Sequence, residues 1–308
     1  MQFFSTSLNQ VLLMITFIIV GCLLAKTGKI VHTASKALSS LLVYICLPAV
    51  SFSTCYNNVT VENLLTQWKI IFSGAIILAV GYVVSIVLAK AFAKDDFEKN
   101  IYSYSFTIPN ISYMGYPVVG AVFGDKTLFQ MMMFVLPMLI FIYTKGINML
   151  TPDKKTGFKK VILQPIFIAM ILGTVFGLSG IKLPGLVSNI VETASGSMAF
   201  VAMIMTGCVI SGKPIKELVT NKKAYFASVI RLIVLPLIAL AVLILIKADK
   251  DIMIVAVATL AMPLGLNTVV FPEAYGGDGR PGARLAFISH TLSIITIPVV
   301  FGILSLFV

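Results

Sequence analysis

Charge is what this sequence has least of. Only 11% of its 308 residues are Asp, Glu, Lys or Arg, against 58% hydrophobic, and mean hydropathy is +1.01. A soluble domain carries roughly a quarter charged residues, so that class is excluded. Enzyme motifs are missing as well. There is no P-loop lysine motif, no HExxH pair, and no Ser, His and Asp set that could be placed together. The glycine-rich GGDGRPG at 276–282 has no Lys followed by Ser or Thr and reads as a tight cytoplasmic loop. Four cysteines, Cys22, Cys46, Cys55 and Cys208, show neither metal nor redox spacing and read as small apolar packing residues. No metal, cofactor, disulfide framework or enzymatic activity is expected. The N-terminus lacks a basic n-region and a small-residue cleavage site, so its first apolar run is not a cleaved signal peptide.

Long apolar runs remain. Most are around 20 residues, the length that crosses a hydrocarbon core as a helix. Ten can be drawn, near 8–25, 37–55, 69–89, 101–123, 128–150, 162–178, 191–211, 224–246, 252–274 and 284–307. The expected fold is an all-α polytopic membrane protein in a cell membrane. The net charge of +11 is explained by where it falls. With loops assigned alternately to two sides, 16 of the 23 basic residues fall on one side and five on the other, while Lys145 and Arg231 lie inside spans. By the positive-inside rule the rich side is cytoplasmic and both termini face outward. The basicity is thus a topology signal, and no nucleic-acid partner is expected.

The chain resembles itself. VGCLLAKTGKI (20–30) and LGTVFGLSGIK (172–182) align at an offset of 152, placing Gly21 on Gly173 and Gly28 on Gly180. The same offset puts Pro48 on Phe200, where the repeat has diverged. Residues 1–150 then form one five-span half, 151–161 a basic cytoplasmic linker, and 162–308 a second half. An odd number of spans per half inverts the second relative to the first, the plan of secondary transporters.

Both fourth spans of the halves, four and nine, are interrupted. One carries IPNISYMGYP (108–117) and the other MPLGLN (262–267). Pro109 and Pro263 each remove a donor and free backbone groups, which lipid does not tolerate unless protein or a water-filled cavity shelters them. Asn110 and Asn267 both donate and accept, and half-helices that begin at the breaks aim positive dipole ends at an anion. A plainer reading makes these proline kinks with structural asparagines, but two matched breaks, each with an Asn, favour a binding site. Ser112, Met114 and Gly115 of the first break and Gly265 of the second complete the candidate set. Among ionisable residues in or near spans, Glu192, Glu273 and His290 are candidates for ion coupling, with helix-end solvation or simple packing as the alternative. Lys145 and Arg231 are expected to snorkel to the interface. No pair of aspartates sits at mid-membrane, which counts against an exchanger of inorganic cations sharing the crossed-helix plan.

PNISYMGYPVVGAVFG, the TKG at 144–146, MPLGLNTVVFPEAYGGD and HTLSIITIPVV together resemble the auxin efflux carrier family, over nearly the whole chain. That family includes plant PIN auxin exporters and bacterial permeases proposed to move malate and related acids. The resemblance implies two inverted five-helix repeats whose fourth and ninth spans cross at the substrate site. It implies a scaffold of spans one, two, six and seven, and a transport domain of spans three to five and eight to ten. Ser51 and Ser53, after Pro48 in span two, are candidates to line the cavity from the scaffold side, with polar contact between helices as the equal alternative. The resemblance also implies a homodimer and a small organic anion as substrate, with proton or sodium coupling left open. The long hydrophilic loop of many plant relatives is missing.

Overall fold

The computed structural model describes residues 2–31, 34–151, 161–212, 214–274 and 279–308. The expected linker lies outside them over 152–160, as do 276–278 of the glycine-rich loop and the side chain of Glu273. Thirteen helices are named here: α1 (Gln2–Lys26), α2 (Ala34–Asn58), α3 (Val61–Phe92), α4 (Asp96–Thr107), α5 (Ile111–Phe123), α6 (Asp125–Leu150), α7 (Pro165–Ser179), α8 (Gly185–Ser211), α9 (Ile215–Val219), α10 (Lys222–Leu245), α11 (Lys250–Leu260), α12 (Asn267–Ala274) and α13 (Arg280–Leu304). Seven of them, α1, α2, α3, α6, α8, α10 and α13, are long and apolar enough to cross a membrane, and α5 and α7 are shorter apolar helices. Among the described residues the one pairing of extended backbone is an antiparallel bridge between Pro109 and Leu264.

Local chemistry sets the helix ends. Asp95 caps α4 by accepting from the Glu98 amide at 2.7 Å, and the Glu98 carboxylate returns to the Lys94 amide at 2.8 Å. Such reciprocal capping meets donors that a first helical turn leaves unpaired. Thr60 caps α3 in the same way, accepting from the Asn63 amide. Four helices widen to a π-turn, at 42–46, 111–115, 142–146 and 230–234. Pro48, Pro117 and Pro236 each stand two residues beyond such a turn. A proline ring clashes with the carbonyl one turn back, and the wider turn makes room for it.

Packing follows two matching pairs. Helix α1 lies against α8, and α7 lies against α2. In the first pair a Cβ on Gly21 would sit 2.5 Å from the Ile204 carbonyl oxygen, and Gly207 faces the backbone of Ile18 and Cys22 equally closely. In the second, a Cβ on Gly173 would sit 2.5 Å from the Phe52 carbonyl oxygen. Only a missing side chain lets two helix backbones approach so near, the usual device inside membranes. The aligned glycines Gly28 and Gly180 also share a backbone state, with φ of +72° and +68°, each just beyond its helix. Helices α3, α4 and α6 pack together, as do α10, α11 and α13. Outer faces are apolar: Phe72, Ile76, Val80, Val83 and Val87 of α3 are all exposed, as a lipid-facing surface should be.

Candidate functional site

The two interruptions expected from proline and asparagine meet in the interior. Between α4 and α5 the chain leaves the helix at 108–110, and between α11 and α12 at 261–266. The Asn110 amide donates to the Pro263 carbonyl at 2.8 Å, beside the Pro109–Leu264 bridge. Each break thereby satisfies backbone groups that the other frees, which is how irregular backbone persists without water. Gly265 stands against this bridge; a Cβ there would lie 3.4 Å from the Pro109 carbonyl oxygen. Gly115 closes the first break by donating to the Asn110 carbonyl at 2.9 Å.

Helix α13 holds both breaks with adjacent residues. Ser289 accepts from the Leu264 amide at 3.2 Å, and His290 lies 3.0 Å through Nε2 from Asn110 Nδ2. His290 Nδ1 lies 2.7 Å from the Ala286 carbonyl. His290 is buried with both ring nitrogens bonded, as a satisfied packing histidine would be, and one of its partners is a break residue. Asn267 has a partner that sequence reading missed, since its Nδ2 donates to the Tyr104 hydroxyl at 2.9 Å. Each asparagine thus already commits one amide hydrogen to protein.

A cavity of about 30 Å³ lies at this meeting point. Pro109, Asn110, Ser112, Gly265 and Asn267 line it, together with Leu47 of α2 and Tyr143 of α6. That volume suits one or two waters, not a carboxylic acid of several heavy atoms. The first turns of α5 and α12 border it, so two positive helix ends face one small space. A larger cavity, about 250 Å³, lies between α2 and α8 on one side and α5 and α6 on the other. Gln10, Ser53, Thr54, Asn57 and Asn58 give it a polar lining, and Asp125 adds a carboxylate. The buried hydroxyl of Tyr116, which has no hydrogen-bond partner, also borders it. Leu47, Val50, Thr54 and Asn57 form one stripe of α2, at i, i+3, i+7 and i+10, that runs from the smaller cavity to the larger.

Other expected site residues fall elsewhere. Met114 is fully buried and lines neither cavity, and Pro263 contributes its carbonyl to Asn110. Ser51 is buried without a hydrogen-bond partner and lines neither cavity; its neighbour Ser53 reaches the larger one. Glu192 is exposed on α8 and accepts from Ser188 at 3.0 Å, away from the breaks. Lys145 is exposed over the Tyr82 ring, 4.4 Å from its centroid. Arg231 overturns the snorkelling expectation. It is 0% exposed, and Nη1 donates to the Leu260 carbonyl at 2.9 Å, in the last turn of α11 before the second break. Its Nε and Nη2 have no partner among the described residues. A cation there suits a helix C-terminus, where orphan carbonyls collect.

Known proteins resemble this chain over nearly its whole length. Residues 6–161 and 154–301 each match the sequence model of the membrane transport protein family. A protein of Methanocaldococcus jannaschii named as an uncharacterized transporter is 26% identical over 302 residues, covering 94% of this chain and 96% of its own. A second uncharacterized transporter, from Methanothermobacter thermautotrophicus, is 20% identical over 301 residues, covering 96% of this chain and 97% of its own.

Proposed function

Because the chain belongs to the membrane transport protein family, the auxin efflux carrier group that its motifs resemble, we propose that it is a secondary transporter of small organic anions, carboxylates of malate-like or auxin-like size. The observation that carries this reading is the pair of breaks. Two interrupted segments bonded through Asn110 and Pro263 present two asparagines and two helix N-termini to one cavity. Carboxylates are bound well by N–H groups and positive helix ends, and a fully buried arginine adds positive potential behind the second break. A cation exchanger would be ill served by the same features.

The architecture we infer is ten spans in two inverted repeats. The two halves match the family separately. The partnership of α1 with α8 is repeated by α7 with α2, using the aligned Gly21 and Gly173, and Gly28 and Gly180 share their left-handed backbone. In this reading α1, α2, α7 and α8 are the scaffold, and the helices bearing the breaks move against it. The 250 Å³ cavity between the two groups is the access route, outward-facing if the termini are outside. A 30 Å³ site must enlarge to admit a substrate, so binding accompanies parting of α2 from the breaks. The homodimer and the choice of coupling ion belong to the same proposal.

Uptake of labelled malate and indole-3-acetate into vesicles, with and without a proton or sodium gradient, tests it. Asn110→Ala and Asn267→Ala should each lower affinity roughly tenfold to a hundredfold, since a hydrogen bond to a charged ligand contributes about 1.5–3 kcal/mol. Melting temperatures in detergent must be followed beside uptake. Unchanged affinity in both variants would place the substrate elsewhere.

A further inference from the structure

We propose that His290 is a proton-binding site and that its proton turns the Asn110 amide so that both amide hydrogens face the cavity. The inference rests on the transport reading above. Two bonds fix the starting state. Nδ1 lies 2.7 Å from the Ala286 carbonyl, which only accepts, so Nδ1 carries a hydrogen. Nε2 lies 3.0 Å from Asn110 Nδ2, an amide nitrogen that only donates, so Nε2 holds a lone pair. His290 is therefore neutral, in one tautomer, 1% exposed, and one hydrogen bond from a residue that lines the cavity.

A proton on Nε2 converts that acceptor into a donor, and two donors cannot face each other. The remedy is a half-turn of the Asn110 side chain about its last bond, which brings Oδ1 to Nε2. The backbone need not move, because the Asn110 amide stays on Pro263 and its carbonyl stays on Gly115. Asn110 lines the cavity, and in the neutral state one of its two Nδ2 hydrogens is spent on His290. After the turn both are free for a carboxylate.

The charge balance points the same way. On the elements packed against α13, Arg231, Tyr102, Tyr104 and Cys208 are the ionisable side chains buried in helix interiors, while Glu98 and Asp251 lie near helix starts. No buried carboxylate among the described residues meets a histidinium there, and Arg231 opposes it. An anion in the cavity offsets both cations, so proton and anion favour each other's binding and travel together.

The chain has two histidines, His32 and His290, so a His32→Gln chain labelled with ¹⁵N-histidine reports on one imidazole. In lipid nanodiscs its long-range ¹H–¹⁵N spectrum should show the neutral Nδ1–H form at pH 8. Asn110→Asp, which sets a carboxylate acceptor against Nε2, should convert it to the imidazolium at neutral pH. In vesicles, an inward proton gradient of one unit should raise malate or indole-3-acetate accumulation by up to about tenfold, and His290→Gln should bring the ratio of uptake with to uptake without the gradient down to one. The proposal is overturned by the Nε2–H tautomer at pH 8, by an Asn110→Asp chain that stays neutral, or by a gradient effect that survives His290→Gln. Gradient-independent uptake that still requires Asn110 would sink the proton site and leave the transport reading intact; uptake that no longer requires Asn110 would sink both, because the proton acts through that residue.

Discussion

Asn110 is held at three points, through its amide, its carbonyl and its side-chain nitrogen. Its polarity was legible in the sequence because an asparagine between prolines in an apolar run has few structural uses. Its partner was not legible, since His290 lies 180 residues away and only the fold brings the two together. Arg231 was misread for a related reason. Its place in the span suggested a head group reaching water, but the end of α11 offers it a carbonyl in the interior. This leads to a prediction about charge without contact. A buried unit charge acts on an anion beyond contact range, because the interior screens it less than water does. Arg231→Met should thus weaken carboxylate binding severalfold and leave neutral amide analogues unaffected, measured by competition against labelled malate. Its melting temperature should hold or rise, because an apolar side chain of similar size removes a buried, half-paired cation. Equal losses for charged and neutral ligands would show that Arg231 acts through shape alone.

Helices are where sequence reading did best. Seven of the ten apolar runs are helices long and apolar enough to cross a membrane, the run near 162–178 is a shorter helix, and the other two are helix pairs parted at the proline–asparagine interruptions, at 108–110 and 261–266. Composition alone decides these, through hydrophobic length and proline chemistry. Hidden from it were the π-turns and the bridge that joins the breaks, because both depend on what lies alongside. The close glycine contacts test element packing directly. A methyl group on Gly207 meets the backbone of Ile18 and Cys22, which cannot rotate away as a side chain would. Gly207→Ala should cost about 1–3 kcal/mol through overpacking and lower the melting temperature in detergent. Gly185, where an added methyl would meet nothing within 4 Å, is the control, and Gly185→Ala should change little.

At the scale of the molecule, the 16-to-five split of basic residues predicts a cytoplasmic 151–161 linker and outward termini. In a chain stripped of its four native cysteines, single cysteines at Thr156 and Val308 should react with an impermeant maleimide from opposite sides of intact cells. Reaction from the same side would break the ten-span plan. Where helices form was legible because membrane crossing sets a length on each apolar run. Which helix lies against which was not legible in composition, because it depends on which small residues face which backbone.

The bridge between Pro109 and Leu264 also sets an order of assembly. Its two strands are encoded roughly 150 residues apart, so at ~5–20 residues per second a ribosome needs about 8–30 s to deliver the second after the first. Until then the Asn110 amide lacks Pro263 and its side chain lacks His290. The first half can enter the bilayer on hydropathy alone, yet its centre stays unfinished until the last helix arrives. A nascent chain halted before α13 therefore leaves both breaks without the side chains of Ser289 and His290 that tie them down.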